Sequence, residues 1–387
     1  MRRTVRHLLS GVLALASAAS LANTRVVDGL RVEKLLDGLD HPWSLAFLPT
    51  PSGQVAQALV LQRNAGLLLV QAPAIGAWKA VQSVPVPGLS TGSQVAAQGQ
   101  GGWFDVALHP DFARQPWVYI SYNGQNAQGQ MGTELLRAKW TGNTLTEPQP
   151  LFAMQPKSRA VHHFGGRIVL DGKGHVFLTL GDRGDKDRAQ RPGDHTGSVI
   201  RLTEDGQTPA DNPWVQQSDW LPQQFSKGHR NQQGAALHPQ TGQLWTHEHG
   251  PQGGDEINAI QAGANHGWPV VTYGVNYGTG TRIGEGTHKP GMAQPLHTWV
   301  PSIAPSGMAF VPPGNQPFAA WRGQLLVGAL KDQMLVRLEL DGNRVVREHR
   351  LLKNAVGRIR DVRVGPDGLV YLLTDANPGA VYRLSPP

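Results

Sequence analysis

The sequence predicts an all-β fold, a six-bladed β-propeller with long inter-strand loops forming an active-site face. Three observations point to it. One strand–turn–strand phrase recurs six times; glycine (47) and proline (29) are abundant while only 16% of residues are charged; and successive phrases are spaced by about 55 to 75 residues.

Each copy pairs an apolar strand with a second strand rich in β-branched or aromatic residues, across a turn of Pro, Asp or Gly. In chain order the copies are 43–49 with 58–62, 104–111 with 117–121, 167–172 with 176–179, 235–239 with 243–246, 308–313 with 324–327, and 361–368 with 370–373. A single hairpin cannot cover its own apolar face, so repeats stacked around an axis bury one another. A minimal four-stranded blade takes about 40 to 45 residues, and the surplus here goes into loops. Loops gathered at one end of a rigid ring are where a binding site is built. Two β-sandwiches would call for a Pro/Ser-rich or low-complexity linker, and none follows residue 23. Residues 23–387 therefore read as one propeller domain.

The chain begins with Arg2, Arg3, Arg6 and His7, continues with an apolar run from Leu8 to Ala18, and then reaches small residues ending at Asn23. This is the three-part pattern of a secretory signal peptide over 1–22, cleaved after Ala22 or Ala19. The apolar run falls short of the ~20 residues that span a bilayer, so stable membrane insertion is not expected and the mature protein is placed in the periplasm or outside the cell. With no cysteine, it can fold in an oxidising compartment without mispairing. Cleavage removes three arginines and no acid from a formal charge of +7. The mild remaining charge, with no concentrated Lys/Arg stripe, excludes a nucleic-acid binder.

Three stretches carry candidate chemistry. His163 precedes one strand and Asp182 follows its hairpin partner, so the hairpin returns both to one end of a blade. A carboxylate beside an imidazole fixes its tautomer and makes it an effective general base; the bland alternative is a surface histidine near a loop acid. The second stretch is 228–234 with 247–258 and 265–269, dense in polar and Gly residues between apolar strands. Carbonyls at Gly250 and Pro251, with Glu256 and Asp255, form an oxygen-rich set suited to Ca²⁺. His247 and His249 could instead hold zinc, although they lack the helical spacing of zinc enzymes; ordinary turn chemistry is the third reading. The last stretch holds Lys331 and the pair Arg358 and Arg360, which share a strand face and suit a polycarboxylate or phosphate, or else a solvated surface. A dinucleotide fingerprint and a P-loop are missing.

Several short motifs fall in a fixed order: Gln100-Gly-Gly with 104–112, His163-x-Gly-Gly-Arg167, Leu180-Gly-Asp182, 228–231, Gly250-Pro251 with 255–258, 302–306 and 358–361. In this order they resemble the soluble pyrroloquinoline quinone (PQQ) dependent glucose/sorbosone dehydrogenases, particularly the shorter aldose sugar dehydrogenases, from about residue 27 to the end. The resemblance implies His163 as the base that takes the anomeric proton, Asp182 as its support, and Gln100 at the pocket of sugar and cofactor. It implies Arg230 and Asn231 at the quinone oxygens, and Lys331, Arg358 and Arg360 at the cofactor carboxylates. Trp299 falls one position from an expected aromatic roof and is assigned to it. The carbonyls of Gly250 and Pro251 match ligands of a Ca²⁺ at the quinone, and Glu256 with the carbonyl of His266 a second Ca²⁺ site. The family pattern has Tyr where this chain has His266, a change that a carbonyl ligand survives.

The function so implied is oxidation of aldoses to lactones, with electrons passed to an external acceptor such as a quinone, dye or cytochrome. The alternatives are a Ca²⁺-dependent propeller lactonase, which would ring its axis with carboxylates and Asn, and a non-catalytic propeller that binds a glycan or a protein.

Overall fold

The computed structural model describes residues 24–49 and 57–387; the expected leader at 1–22 lies outside the described residues. Six antiparallel sheets of four or five strands stand around one axis. Their inner strands are Pro42–Leu48, Trp103–Leu108, Gly165–Leu170, Gln232–Leu237, Pro305–Phe310 and Ile359–Val364. Each packs against the next, and the sixth returns to the first. The blades are numbered 1 to 6 in this order. The expected first and second strand of every repeat become the two innermost strands of a blade.

The sixth blade closes the ring with strands from the two ends of the described chain. Leu30–Leu39 pairs with Gly379–Ser385, and Thr24–Val27 adds a further strand outside it. Tying the termini into one sheet gives the C-terminal strand a partner on each side, which removes a bare edge there.

The core lies between blades rather than within any one of them. Leu59, Leu61, Val106 and Ile120 fill the seam of blades 1 and 2. Trp245, Ile257, Val327 and Val336 fill that of blades 4 and 5, and equivalent clusters occupy the others. The seam of blades 3 and 4 has the shortest apolar set, Phe177, Val199, Ala235, Leu244 and Ile260. Its remaining part is polar, with buried Ser226, His229, Gln232, Thr246, Glu248 and Asn258.

Ion pairs fill the axis. Arg167 contacts Asp105 (3.3 Å) and Asp361 (3.0 Å), and Arg363 contacts the same two acids at 2.7 Å each. All six inner strands break register within their first residues, between Pro42/Ser44, Trp103/Val106, Gly165/Ile168, Gln232/Gly234, Pro305/Met308 and Ile359/Asp361. A bulge interrupts the alternation of a strand and re-aims its side chains. All six occur at the same end of the ring, where they build the site.

Candidate functional site

His163 and Asp182 meet as the hairpin of blade 3 predicts. The imidazole Nδ1 lies 2.6 Å from Asp182 Oδ1. Asp182 is buried and also accepts from the Gly184 N–H (2.7 Å) and from Trp268 Nε1 (2.8 Å). Burial works to raise this carboxyl, but the bonds from His163 and Gly184 and the nearby Arg230 charge outweigh it and hold the group below the ordinary carboxylate range. An ionised Asp182 accepts the hydrogen bond from Nδ1–H and leaves the lone pair on Nε2. The main chain is packed tightly here: a Cβ on Gly181 would lie 2.3 Å from the His163 carbonyl oxygen, and one on Gly166 2.8 Å from the Phe104 ring. Only glycine allows those approaches.

Two cavities lie along the segment that carries His163, which lines the first, while Phe164 and Gly165 line the second. An open cleft of about 580 Å³ is lined by His162, His163, Asp182, Arg230, Trp268 and Tyr277, among others. A smaller chamber of about 190 Å³ lies over the axis, lined by Trp43, Arg63, Gln100, Asn231, Arg360 and Asp375, among others. Gln100 joins them, its Oε1 accepting from the His163 N–H at 2.8 Å. Arg230 faces the cleft, with Nη1 on the His249 carbonyl (3.1 Å), while the adjacent Asn231 faces the chamber.

Arg358 and Arg360 converge, but not as two residues of one strand face: Arg358 precedes the strand Ile359–Val364, and the bulge between Ile359 and Asp361 interrupts its alternation. Both donate to Asp375 Oδ2, at 3.0 and 3.2 Å. Burial favours the protonated Asp375 carboxyl, but the two guanidinium groups pull it far below its ordinary value. Arg360 also reaches Gln233 Oε1 at 3.0 Å. Lys331 lies at the rim, exposed, its Nζ on the Ser302 carbonyl (2.8 Å).

Trp299 is not a roof over either cavity, which corrects the expectation. It is 3% exposed, packed in the seam of blades 4 and 5, with its indole N–H on Glu348 (2.8 Å). An aromatic residue ending a strand reads the same whether it faces a loop or a core.

Asp255 is likewise occupied. Its oxygens accept from the N–H groups of Gly250, Ile303 and Ala304 and from Ser302 Oγ, so it staples the Gly250-Pro251 loop to the 302–304 loop. Glu256 differs: it is half-buried beside Glu248, with the Asn258 amide at 3.5 Å, and burial followed by the Glu248 charge pushes its carboxyl well above the ordinary range. Gly250, Glu256 and His266 line the same small pocket, with Pro251 at its neighbour, the cleft. His247 is buried with neither ring nitrogen partnered, and His249 Nε2 donates to the Pro305 carbonyl at 2.6 Å. Among the described residues no group of three His, Asp or Glu side chains could hold a metal, so the zinc reading of His247 and His249 finds no third side chain.

Several site residues were not singled out in the sequence. Trp43, Phe104 and Gln233 sit at the bulges and line the chamber beside the expected Arg360. Trp268 and Asp375 hold charged groups already named. The Gly-Trp-Pro run at 267–269 was the available signal for Trp268; a lone Asp after the last repeat gave none.

With this geometry in place, comparison with known proteins is informative. Residues 39–383 match the profile of the Glucose / Sorbosone dehydrogenase family. The aldose sugar dehydrogenase of Escherichia coli (strain K12) is 39% identical over 361 residues, covering 92% of this chain and 93% of the relative. A crystal structure of a glucose dehydrogenase superposes with a TM-score of 0.84 at 42% identity, covering 91% and 98% of the two chains. The PQQ-bound aldose sugar dehydrogenase of Streptomyces coelicolor superposes with a TM-score of 0.70 at 25% identity, covering 93% and 99%. Fold and these likenesses agree, and the chain belongs to the glucose/sorbosone dehydrogenase family of oxidoreductases.

Proposed function

We propose that this protein oxidises aldoses at the anomeric carbon to lactones, with PQQ and Ca²⁺ as resident groups and an external acceptor for the electrons. The observation that carries the reading is the His163–Asp182 pair lining an open cleft, with the residues that follow His163, Phe164 and Gly165, lining a cation-bearing chamber. The PQQ-bound relative from Streptomyces supports it.

The residues present fit both groups. Arg63, Arg358 and Arg360 gather in a chamber with one carboxylate, Asp375, an arrangement suited to a polyanionic ligand. PQQ would be held by Arg358 and Arg360, by Lys331 at the rim, and by Gln100, Arg230 and Asn231 on the side toward the base. Glu256, half-buried next to a second carboxylate, suits a cation at Glu256 and the His266 carbonyl; the Gly250 and Pro251 carbonyls suit one nearer the chamber. When bound, PQQ supplies a two-electron acceptor for the hydride, polarised by Ca²⁺ as a Lewis acid.

The chain's own residues do the rest. A sugar in the cleft presents its anomeric hydroxyl to His163 Nε2, which takes the proton. Asp182 steadies the imidazolium through Nδ1, and Trp268 and Gly184 keep that carboxylate in place. Arg230 brings a fixed positive charge to the same cleft.

The ion pairs that fill the axis favour this reading over a lactonase with an axial cation. The leader expected at 1–22 supports a periplasmic or secreted location, and no helix among the described residues is long and apolar enough to cross a membrane.

The test is dye reduction by several aldoses after loading purified protein with PQQ and Ca²⁺. His163→Ala should lower the sugar-dependent rate by about 10²- to 10⁴-fold. An unchanged rate in that variant, or lactone hydrolysis without PQQ, would overturn the reading.

A further inference from the structure

Arg183 directly follows the acid that holds the base, yet it is not a solvated neighbour. Its side chain is among the largest fully buried ones, 1% exposed. Its guanidinium donates to peptide carbonyls rather than to a carboxylate, Nη1 to His162 O at 2.5 Å and Nη2 to Ala160 O, while Nε has no partner. The flat cation lies 3.4 Å from the centroid of the Phe164 ring. Burial, reinforced by the Arg188 charge, pushes this guanidinium down to about 9 against the opposing pull of Asp182.

An enclosed cation without an acid is costly, and carbonyls and a ring face offset only part of that. The contacts that offset it converge on one segment, 160–164, with the base in its middle. The Arg183 main-chain N–H adds a fourth contact, to the His163 carbonyl at 3.3 Å. His163 has φ +54°, a left-handed conformation that a histidine adopts only when held there. Asp182 fixes the ring through Nδ1 but cannot fix the backbone from which the ring projects.

We propose that Arg183 is a positioning residue for the reaction. It clamps the carbonyls of Ala160 and His162 and the ring of Phe164, so that His163 keeps its left-handed backbone and presents Nε2 to the sugar. The proposal rests on His163 being the base.

The test is stopped-flow reduction of the PQQ- and Ca²⁺-loaded protein by excess aldose, with PQQ affinity measured separately by quenching of tryptophan fluorescence. Arg183→Met should slow cofactor reduction by about 100-fold, the scale of a misplaced catalytic group, while PQQ affinity stays within about threefold. Arg183→Lys, which can still donate to one carbonyl, should recover about tenfold of that loss. A slowing of less than about tenfold in Arg183→Met, or a parallel loss of PQQ affinity, overturns the proposal. If Arg183→Met does not fold, Arg183→Lys decides alone: slowing of about threefold or more at unchanged PQQ affinity supports the role, and anything less overturns it. His163→Ala in the same assay separates the two readings. A full rate there means that His163 is not the base; a lost rate there with full rates in the Arg183 variants removes only the positioning role.

Discussion

The two ends of the ring are built from the same six inner strands and differ in almost everything else. Where these strands begin, bulges turn Trp43, Phe104, Gln233 and Arg360 into the chamber, and the loops add His163, Arg230 and Asp375. Where they finish, regular pairing resumes and leaves a cup of about 490 Å³ lined by Leu45, Leu48, Val106, Leu108, Leu170 and Val364, among others. The cup has more than twice the volume of the chamber, about 190 Å³, yet its one charged lining group among the described residues, Arg363, is committed to Asp105 and Asp361. Free space by itself does not locate chemistry in this molecule: the cup and the cleft, about 490 and 580 Å³, are of similar size, and of the two only the cleft is lined by the His163–Asp182 pair. A break in strand alternation does locate it, because it aims polar side chains at a common point without disturbing the apolar seams between blades.

If that contrast is right, the two ends should fail differently when altered. The largest effect is expected at the cup: Arg363→Met leaves two buried acids sharing Arg167 and should cost about 3 kcal/mol of stability, read as a lower denaturant midpoint. The turnover of the folded fraction should be unchanged, and a loss of turnover at full stability would break the comparison. Next comes Arg358→Ala at the chamber, where the guanidinium is 47% exposed. It should weaken PQQ retention by about tenfold with little change in sugar half-saturation, whereas equal losses in both would count against its role.

The smallest effect sharpens the comparison by lying at neither end. His195 is enclosed against Phe152 on the flank of blades 2 and 3, and burial lowers its imidazole to about 4 from an ordinary 6.5. A depressed folded value means that the neutral form is favoured by folding. Its stabilisation is therefore complete above about pH 6.5 and is lost as the pH falls through about 4. At about pH 5.5 this group should account for about 1 kcal/mol of lost stability, and His195→Gln should flatten that part of the pH profile while both ends keep their behaviour. An unaltered profile would mean that other groups set it.

Legibility in the sequence followed the range of the interaction. The six repeats could be read because each hairpin is local, and so could the meeting of His163 with Asp182, which one hairpin enforces. Closure of the ring by Leu30–Leu39 could not, since its partner strand lies at the other end of the chain. Trp299 was misplaced because strand-end aromatics look alike before packing selects a face. Arg183 was passed over because an Arg beside an Asp reads as a surface ion pair, whereas its partners are the carbonyls of Ala160 and His162, more than 20 residues earlier. Asp255 looked like a cation ligand until four donors, three of them nearly 50 residues on, proved to satisfy it.

By itself the sequence determined that this chain makes repeated hairpins, that these must stack in a ring, and that an imidazole and a carboxylate stand together at one hairpin end. Those outcomes depend on alternation and turn chemistry, which act over a few residues. Tertiary structure alone decided which bulged side chains line the chamber, which acids lack a full set of donors, and which buried guanidinium bonds the carbonyls of Ala160 and His162. Each of these turns on which polar groups find partners from distant segments, and burial makes that choice only when the blades have closed around them.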